Sequence, residues 1–422
     1  MKYEIIKLQD VVDKLGDGLH GTPIYDNNGE YYFINGNNLD DGKIVFKENT
    51  KKVSREEYHK YKKDLNDRTI LVSINGTLGN VAVYKNEKVM LGKSACYFNV
   101  IENVNKDYIK YVIMSPDFKK YLEQHYTGTT IKNVSLKTMR NYTFKLPSEN
   151  HQLLVSKILS SLDSKIELNN QIISNLEELA STLFKRWFVD FEFPDENGNP
   201  YKSSGGKMVD SELGEIPEGW KVNKIGNMDI VVSDHVANGS FKSLKENVKI
   251  LEDKSYALFL RNVDLKAELR GTLRYIDKAS YDFLKKTHLF GGEVIISNVG
   301  DVGTVHLVPK NDKKMVLGNN QIYLNSNIEN MNTYLYLFFK SVKGQELIKS
   351  ITSGSVQMKF NKTDFRNLKI VFPLLDNFNI FSGLLANIRV KKNENNILRD
   401  TRDSLLPKLL SGEIELPEDE EV

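Results

Sequence analysis

The sequence predicts an α+β protein in which one unit, a globular domain followed by a long helix, is written twice. Two tandem-repeated domains would then be separated by two long antiparallel helices, about a pseudo-two-fold axis. Three observations predict it: a long helical pattern at the centre of the chain, short β-rich runs before it, and a colinear internal repeat.

The helical pattern runs over residues 148–188, SENHQLLVSKILSSLDSKIELNNQIISNLEELASTLFKRWF, without Pro or Gly. Apolar residues recur at Leu154, Ile158, Leu162, Ile166, Ile172, Ile173, Leu176, Leu179 and Leu183, a spacing of three and four that makes one stripe. Forty residues of helix run roughly 60 Å, too long for an ordinary core helix. The stripe needs a partner, either in another chain or in a later helix of this one.

Before it, residues 1–147 read as a mixed α/β or mainly β domain. The runs Tyr31–Ile34, Lys43–Phe46, Thr69–Ile74, Val81–Tyr84, Cys96–Val100 and Tyr142–Leu146 are β-rich and bounded by Gly, Asn and Asp turns. Short helices are expected near Ser54–Lys62 and Asp107–Leu122. Residues 189–219 are dense in Gly, Pro, Ser and charge, the composition of a linker or a surface loop.

From Trp220 the pattern begins again. LVSINGTLGNVAV (71–83) matches IISNVGDVGTVHL (295–307), with Ser73, Gly76, Gly79 and Val81 at Ser297, Gly300, Gly303 and Val305. TGTTIKNVSLKTMRNYTFKLP (127–147) matches SGSVQMKFNKTDFRNLKIVFP (353–373), with Gly128, Arg140, Asn141 and Pro147 at Gly354, Arg366, Asn367 and Pro373. A second helix follows over 376–410, with apolar residues at Ile380, Leu384, Leu385, Ile388, Ile397, Leu398, Leu405 and Leu409. The repeat places the partner of the central stripe inside the chain. The expected organisation is a first domain (1–147), a central spacer helix (148–188), a linker (189–219), a second domain (220–373), a C-terminal spacer helix (374–412) and an acidic tail (413–422).

Composition narrows the class. No apolar run is long enough to span a membrane, and the charged N-terminus is not a signal peptide, so a cytoplasmic protein is expected. One cysteine, Cys96, excludes an internal disulfide or Cys-based zinc site. Net charge is +2, so nucleic-acid binding would need clustered Lys and Arg or a basic partner.

Catalytic patterns are missing. Asn199-Pro200-Tyr201 lacks the second Pro of an amino-methyltransferase motif. Pro116-Asp117 and Pro194-Asp195 lack the Glu-x-Lys continuation of a nuclease. Gly205-Gly206-Lys207-Met208 fails as a phosphate loop for want of Ser or Thr, and the seven His show no metal spacing.

What remains is a constant frame with altered loop chemistry. The turns at 75–79 and 298–303, the tips at 128–133 and 354–361, and the segments 35–38 and 261–264 keep their place while their polar residues change. Amide, hydroxyl, Arg and Lys side chains pair with base edges. The candidate DNA-binding residues are therefore Asn37, Asn75, Thr77, Thr129, Thr130, Lys132 and Asn133 in the first repeat. In the second they are Arg261, Asn298, Asp301, Ser355, Gln357, Lys359 and Asn361.

On these repeated segments, on LGEIPEGWK (213–221) and on LLPKLLSGEI (405–414), the chain resembles the specificity subunit of Type I restriction-modification systems along its whole length. The resemblance implies two target-recognition domains, each reading half of a bipartite, asymmetric site in double-stranded DNA. It implies helices that measure the gap and dock two methyltransferase subunits, with Lys157, Lys165, Glu167, Asn170 and Glu177 on the docking face. Restriction/translocase subunits would complete the complex. Adenine methylation from S-adenosylmethionine and cleavage driven by ATP with Mg would belong to those partners, leaving this chain no cofactor or metal. The competing classes are a stand-alone methyltransferase or nuclease with unrecognised motifs, and a coiled-coil scaffold.

Overall fold

The computed structural model describes residues 3–373 and 378–417. The expected helix start at Asp376 and the end of the acidic tail, Glu418–Glu421, lie outside the described residues. The chain divides into two compact units, Met1–Asn170 with Lys392–Val422, and Gln171–Lys391. The division falls within both long helices, so each unit owns part of each.

In the first unit a four-stranded sheet runs in the order Val12–Asp17, Ala95–Val100, Thr69–Ser73, Val81–Val83. A second sheet places Tyr31–Ile34 between Lys52–Val53 and Val89–Leu91, the latter pair parallel. Tyr3–Lys7 pairs antiparallel with Thr143–Pro147, the strand that leads into the central helix. The single helix expected over 107–122 is two, Lys106–Met114 and Pro116–His125. Ser115 ends the first, and its side chain caps the second, with Pro116 at the first helical position. Further strands at the N-terminus and at Val89–Leu91, and the short helix Leu136–Asn141, were not apparent from sequence pattern.

The second unit repeats this frame. Its four-stranded sheet runs Val231–Asp234, Gln321–Asn325, Val294–Ser297, Val305–Leu307, and Lys221–Lys224 pairs with Lys369–Phe372. Ala257–Leu260 is parallel to Met315–Leu317, in a sheet widened to five strands by Ile250–Leu251 and His288–Leu289. Tyr108 donates its hydroxyl hydrogen to the Lys145 carbonyl at 2.8 Å, and Tyr334 does the same to Val371 at 2.7 Å. Each phenol ties a helix to the strand that enters a long helix. The segment 189–219 is not a free tether: Phe191 and Ile216 are buried, and Phe193 stacks on Trp220 at 5.1 Å.

The long helices are Glu149–Phe188 and Asn379–Ser411. Their buried seams are heptads: Leu159, Ile166, Ile173 and Ala180 on one, Phe381, Ile388, Asn395, Arg402 and Leu409 on the other. The expected stripe is kept at Ile166, Ile173, Ile388 and Leu409 and departs from expectation elsewhere. Leu179, Ile380 and Ile397 are exposed, while Val155, Leu159 and Asn169 are buried. Within each unit the two helices run antiparallel. In the first, Asp163 meets Arg402 and Lys165 meets Glu394. In the second, Phe184 and Phe188 pack on Phe381 and Phe378.

The first unit anchors its helix pair through a charged cluster. The Asp163 carboxylate accepts from Lys110 Nζ at 2.7 Å, Tyr111 Oη at 2.6 Å and Arg402 Nη1 at 2.8 Å. Arg402 also pairs with Asp41 at 2.8 Å, and Lys43 pairs with Glu167. The second unit uses rings for the same task, with Phe184, Phe188, Trp187, Tyr334, Phe378 and Phe381 in contact.

Of the helix residues expected on a docking face, three are engaged at home. Lys165 pairs with Glu394, Glu167 with Lys43, and the Asn170 side-chain Oδ1 accepts from the Asn395 amide. Lys157 stays exposed.

Candidate nucleic-acid interface

In the first unit three loops converge beside the four-stranded sheet. The hairpin Thr127–Asn133 closes on itself through paired backbone hydrogen bonds of 2.8 Å between its end residues. It is braced by the turn after Thr69–Ser73: the Gly76 N–H donates to the Lys132 carbonyl at 2.9 Å, and the Asn75 amide donates to Asn133 Oδ1 at 3.1 Å. The third loop, Asn35–Asn38, is tied in by Ser94. The Ser94 hydroxyl accepts from Gly36 N–H at 2.8 Å and donates to Asn35 Oδ1 at 3.0 Å. Its carbonyl accepts from Ile74 N–H at 3.0 Å.

The second unit builds the same arrangement. Ser353 and Lys359 close a hairpin at 2.8 and 2.9 Å, and Gly300 N–H donates to the Met358 carbonyl at 2.9 Å. Asn262 donates to Asp301 at 3.0 Å, joining the short helix Asn262–Lys266 to the turn.

Glycine makes both tips. Gly128 has φ +92° and Gly354 φ +112°, where a side chain is strained. A Cβ there would lie 2.3 Å from the Ile131 carbonyl oxygen and 2.4 Å from that of Gln357.

The candidate residues fall into three groups. Asn37, Thr77, Thr129, Thr130 and Lys132 are exposed on the first unit's loops, as are Asp301, Ser355, Gln357 and Lys359 on the second's. Lys132 lies over the Tyr126 ring at 4.8 Å. Asn75, Asn133 and Asn298 are half-buried bracing residues. Two others hold the local frame. Asn361 caps the helix Lys362–Asn367, accepting from Asp364 N–H at 2.8 Å. Arg261 grips Asp264 at 2.7 and 2.9 Å and the Thr272 carbonyl at 2.9 Å.

The backbone pairing agrees with the alignment of the two repeats in the turns. Asn75 bridges Asn133 as Val299 bridges Lys359, so Asn75 corresponds to Val299, and Asn298 to Ile74. At matched places the two units thus present Asn against Val (75 and 299), Thr against Asp (77 and 301) and Ile against Gln (131 and 357). Hydrogen bonds from Lys266, Thr304 and Asn262 hold the Asp301 carboxyl below its usual range, so it is an anion at neutral pH.

Three further residues at these loops carry no signal of polar variation in the sequence. Ile131 and Val356 are exposed at the tips, and Ser94 is the hinge of the first arrangement. Ser94 follows the pair Leu91-Gly92, which recurs in the second repeat as Leu317-Gly318 and is the available signal. Among the described residues no group of acidic, His or Cys side chains is placed to hold a metal.

Comparison with known proteins gives this geometry its family. The model of the Type I restriction modification DNA specificity domain matches residues 1–178 and 217–399. The chain belongs to this family. It is therefore a DNA-specificity chain, and such subunits are not catalytic. It is 25% identical over 370 residues to the Type I restriction enzyme MjaIX specificity subunit of Methanocaldococcus jannaschii, covering 83% of this chain and 78% of that one. It is 22% identical over 355 residues to the HindI specificity subunit of Haemophilus influenzae, covering 71% and 74%. The crystal structure of the Type I S subunit from M. genitalium shares the fold, with a TM-score of 0.53 at 16% identity over 97% of this chain and 96% of that one.

Proposed function

We propose that the chain reads a bipartite, asymmetric DNA site, one half with the loops of each unit, and directs adenine methylation and restriction by partner subunits. The observation that carries this is the pair of braced loop clusters, built on one frame and bearing different side chains. A recognition module needs a rigid support and variable tips, because base edges are read by a few side chains held in register. Unequal tips on equal supports read unequal half-sites.

The recognition domains are residues 1–147 and 220–373, and the two helices set the gap between half-sites. Two methyltransferase subunits carry S-adenosylmethionine; restriction/translocase subunits carry ATP and Mg. This chain supplies the address and holds no cofactor. Its near-neutral charge makes phosphate contacts from partners a needed part of affinity. Among the described residues no helix is long and apolar enough to cross a membrane, in keeping with a subunit that works on DNA in the cytoplasm.

The test is a map of methylated adenines in cells with and without the gene, followed by exchange of the segment 128–133 alone. Two blocks at a fixed spacing, with only one altered by the exchange, are expected. Methyl transfer by the purified chain alone, or a change in both blocks together, overturns the reading.

A further inference from the structure

Val356 is 99% exposed at the apex of the second unit's hairpin, more than any other large apolar residue among the described residues. Its support is not slack. Ser353 and Lys359 close the base of the hairpin, Gly300 braces its side, and Gly354 sets the bend. The chain therefore holds out, on a rigid tip, a side chain that gains nothing from water. At the matched place in the first unit stands Thr130, also exposed, which has the same shape with a hydroxyl in place of one methyl. Both tips thus end in a β-branched residue carrying a methyl group.

Resting on the reading of these hairpins as groove-facing, we propose that Val356 is a specificity determinant that contacts the C5-methyl of a thymine. Valine has no donor or acceptor, so phosphates, sugars and most base edges offer it nothing. The thymine methyl is the apolar feature that the major groove displays. Gln357, exposed beside it, carries the amide that pairs with adenine N6 and N7, so the tip as a whole suits an A·T pair. Thr130 keeps the methyl and adds a hydroxyl that bonds to either a donor or an acceptor, and so discriminates less at this place.

The experiment uses the full chain, co-expressed with methyltransferase subunits, on duplexes in which deoxyuridine replaces thymine in one half-site at a time. This removes the methyl and leaves every base-pairing group. Deoxyuridine in one half should weaken wild-type binding about three- to fivefold, the affinity equivalent of one buried methyl. Val356→Ala should show a similar loss on the thymine duplex and no further loss with deoxyuridine, whereas the isosteric Val356→Thr should remain sensitive. Equal wild-type binding to both duplexes overturns the proposal. So does a Val356→Ala loss of the same size on both, which is what a wedge between base steps would give. A wild-type complex with no sequence-specific footprint overturns the groove-facing reading and this proposal with it; a specific footprint untouched by deoxyuridine overturns this proposal alone.

Discussion

Asn169 and Asn395 hydrogen-bond to each other at 3.0 Å across the seam of the two long helices, with 0% and 2% of their surfaces exposed. Asn395 stands 226 residues after Asn169, so the two amides hold the same place in the two repeats. A polar residue in an apolar seam specifies register, because any slip leaves it buried without a partner.

Asn395→Ala should therefore destabilise by about 1–3 kcal/mol, since it strands the Asn169 amide. Replacing both by Leu should restore most of the thermal stability while loosening the register. Thermal unfolding of the two single variants and the double variant checks this. A double variant that falls by the sum of the single losses contradicts it.

Asp163 predicts acid sensitivity in the first unit. Burial pushes its pKa up, but Lys110 and the hydrogen bonds from Lys110, Tyr111 and Arg402 outweigh that and hold it below the usual carboxylate range. A depressed acid stabilises the fold above its unfolded pKa, near 4, and that stability drains away as pH falls through the folded value. Wild type should lose stability below about pH 4, and Asp163→Asn should flatten that part of the profile. At neutral pH the variant leaves Lys110 and Arg402 without their shared anion and should cost roughly 3–5 kcal/mol. Denaturant titrations across pH measure both.

Gly128 and Gly354 should be separable. Alanine at either needs a strained backbone and meets a carbonyl oxygen, at a cost of about 1–3 kcal/mol to that hairpin alone. Gly128→Ala should weaken protection of one half-site and Gly354→Ala the other, read by footprinting. Loss of both blocks from either change would show that the tips do not act separately.

The seams predict how the gap can be lengthened. Seven residues inserted after Ile172, matched by seven after Lys391, keep both heptads in phase and add about 10 Å of helix. The preferred gap should grow by about three base pairs, at the 34 Å and 10 base pairs of a DNA turn. Methylation mapping reads the outcome directly, and an unchanged gap refutes the ruler.

Cys96 is fully buried, and burial pushes its thiol pKa up, so the reactive thiolate is suppressed in the folded chain. Iodoacetamide should modify it only in denaturant, which makes alkylation a probe of first-unit unfolding. Rapid native labelling would show that the strand Ala95–Val100 opens.

The sequence by itself determined the duplicated architecture, the two long helices and the segments that form the loops. Periodicity and a colinear repeat are local or one-dimensional signals, and glycines such as Gly128 and Gly354 announce turns because few other residues tolerate those backbone angles. It determined the seam only in part: Ile166, Ile173, Ile388 and Leu409 were expected there and are buried. Leu179 and Ile397 have the right spacing but face outward, while Asn169, Asn395 and Arg402 are buried. Which side of a helix is covered, and whether a buried polar group finds a partner, depends on what lies opposite. The same holds for the site. Arg261 and Asn361 read as free polar loop residues in the sequence, whereas the structure engages Arg261 with Asp264 and Asn361 at a helix N-terminus. Val356 looks like nothing, yet it stands at the tip. Only tertiary structure decided these, because a side chain is free to recognise a partner only when its own fold has not already claimed it.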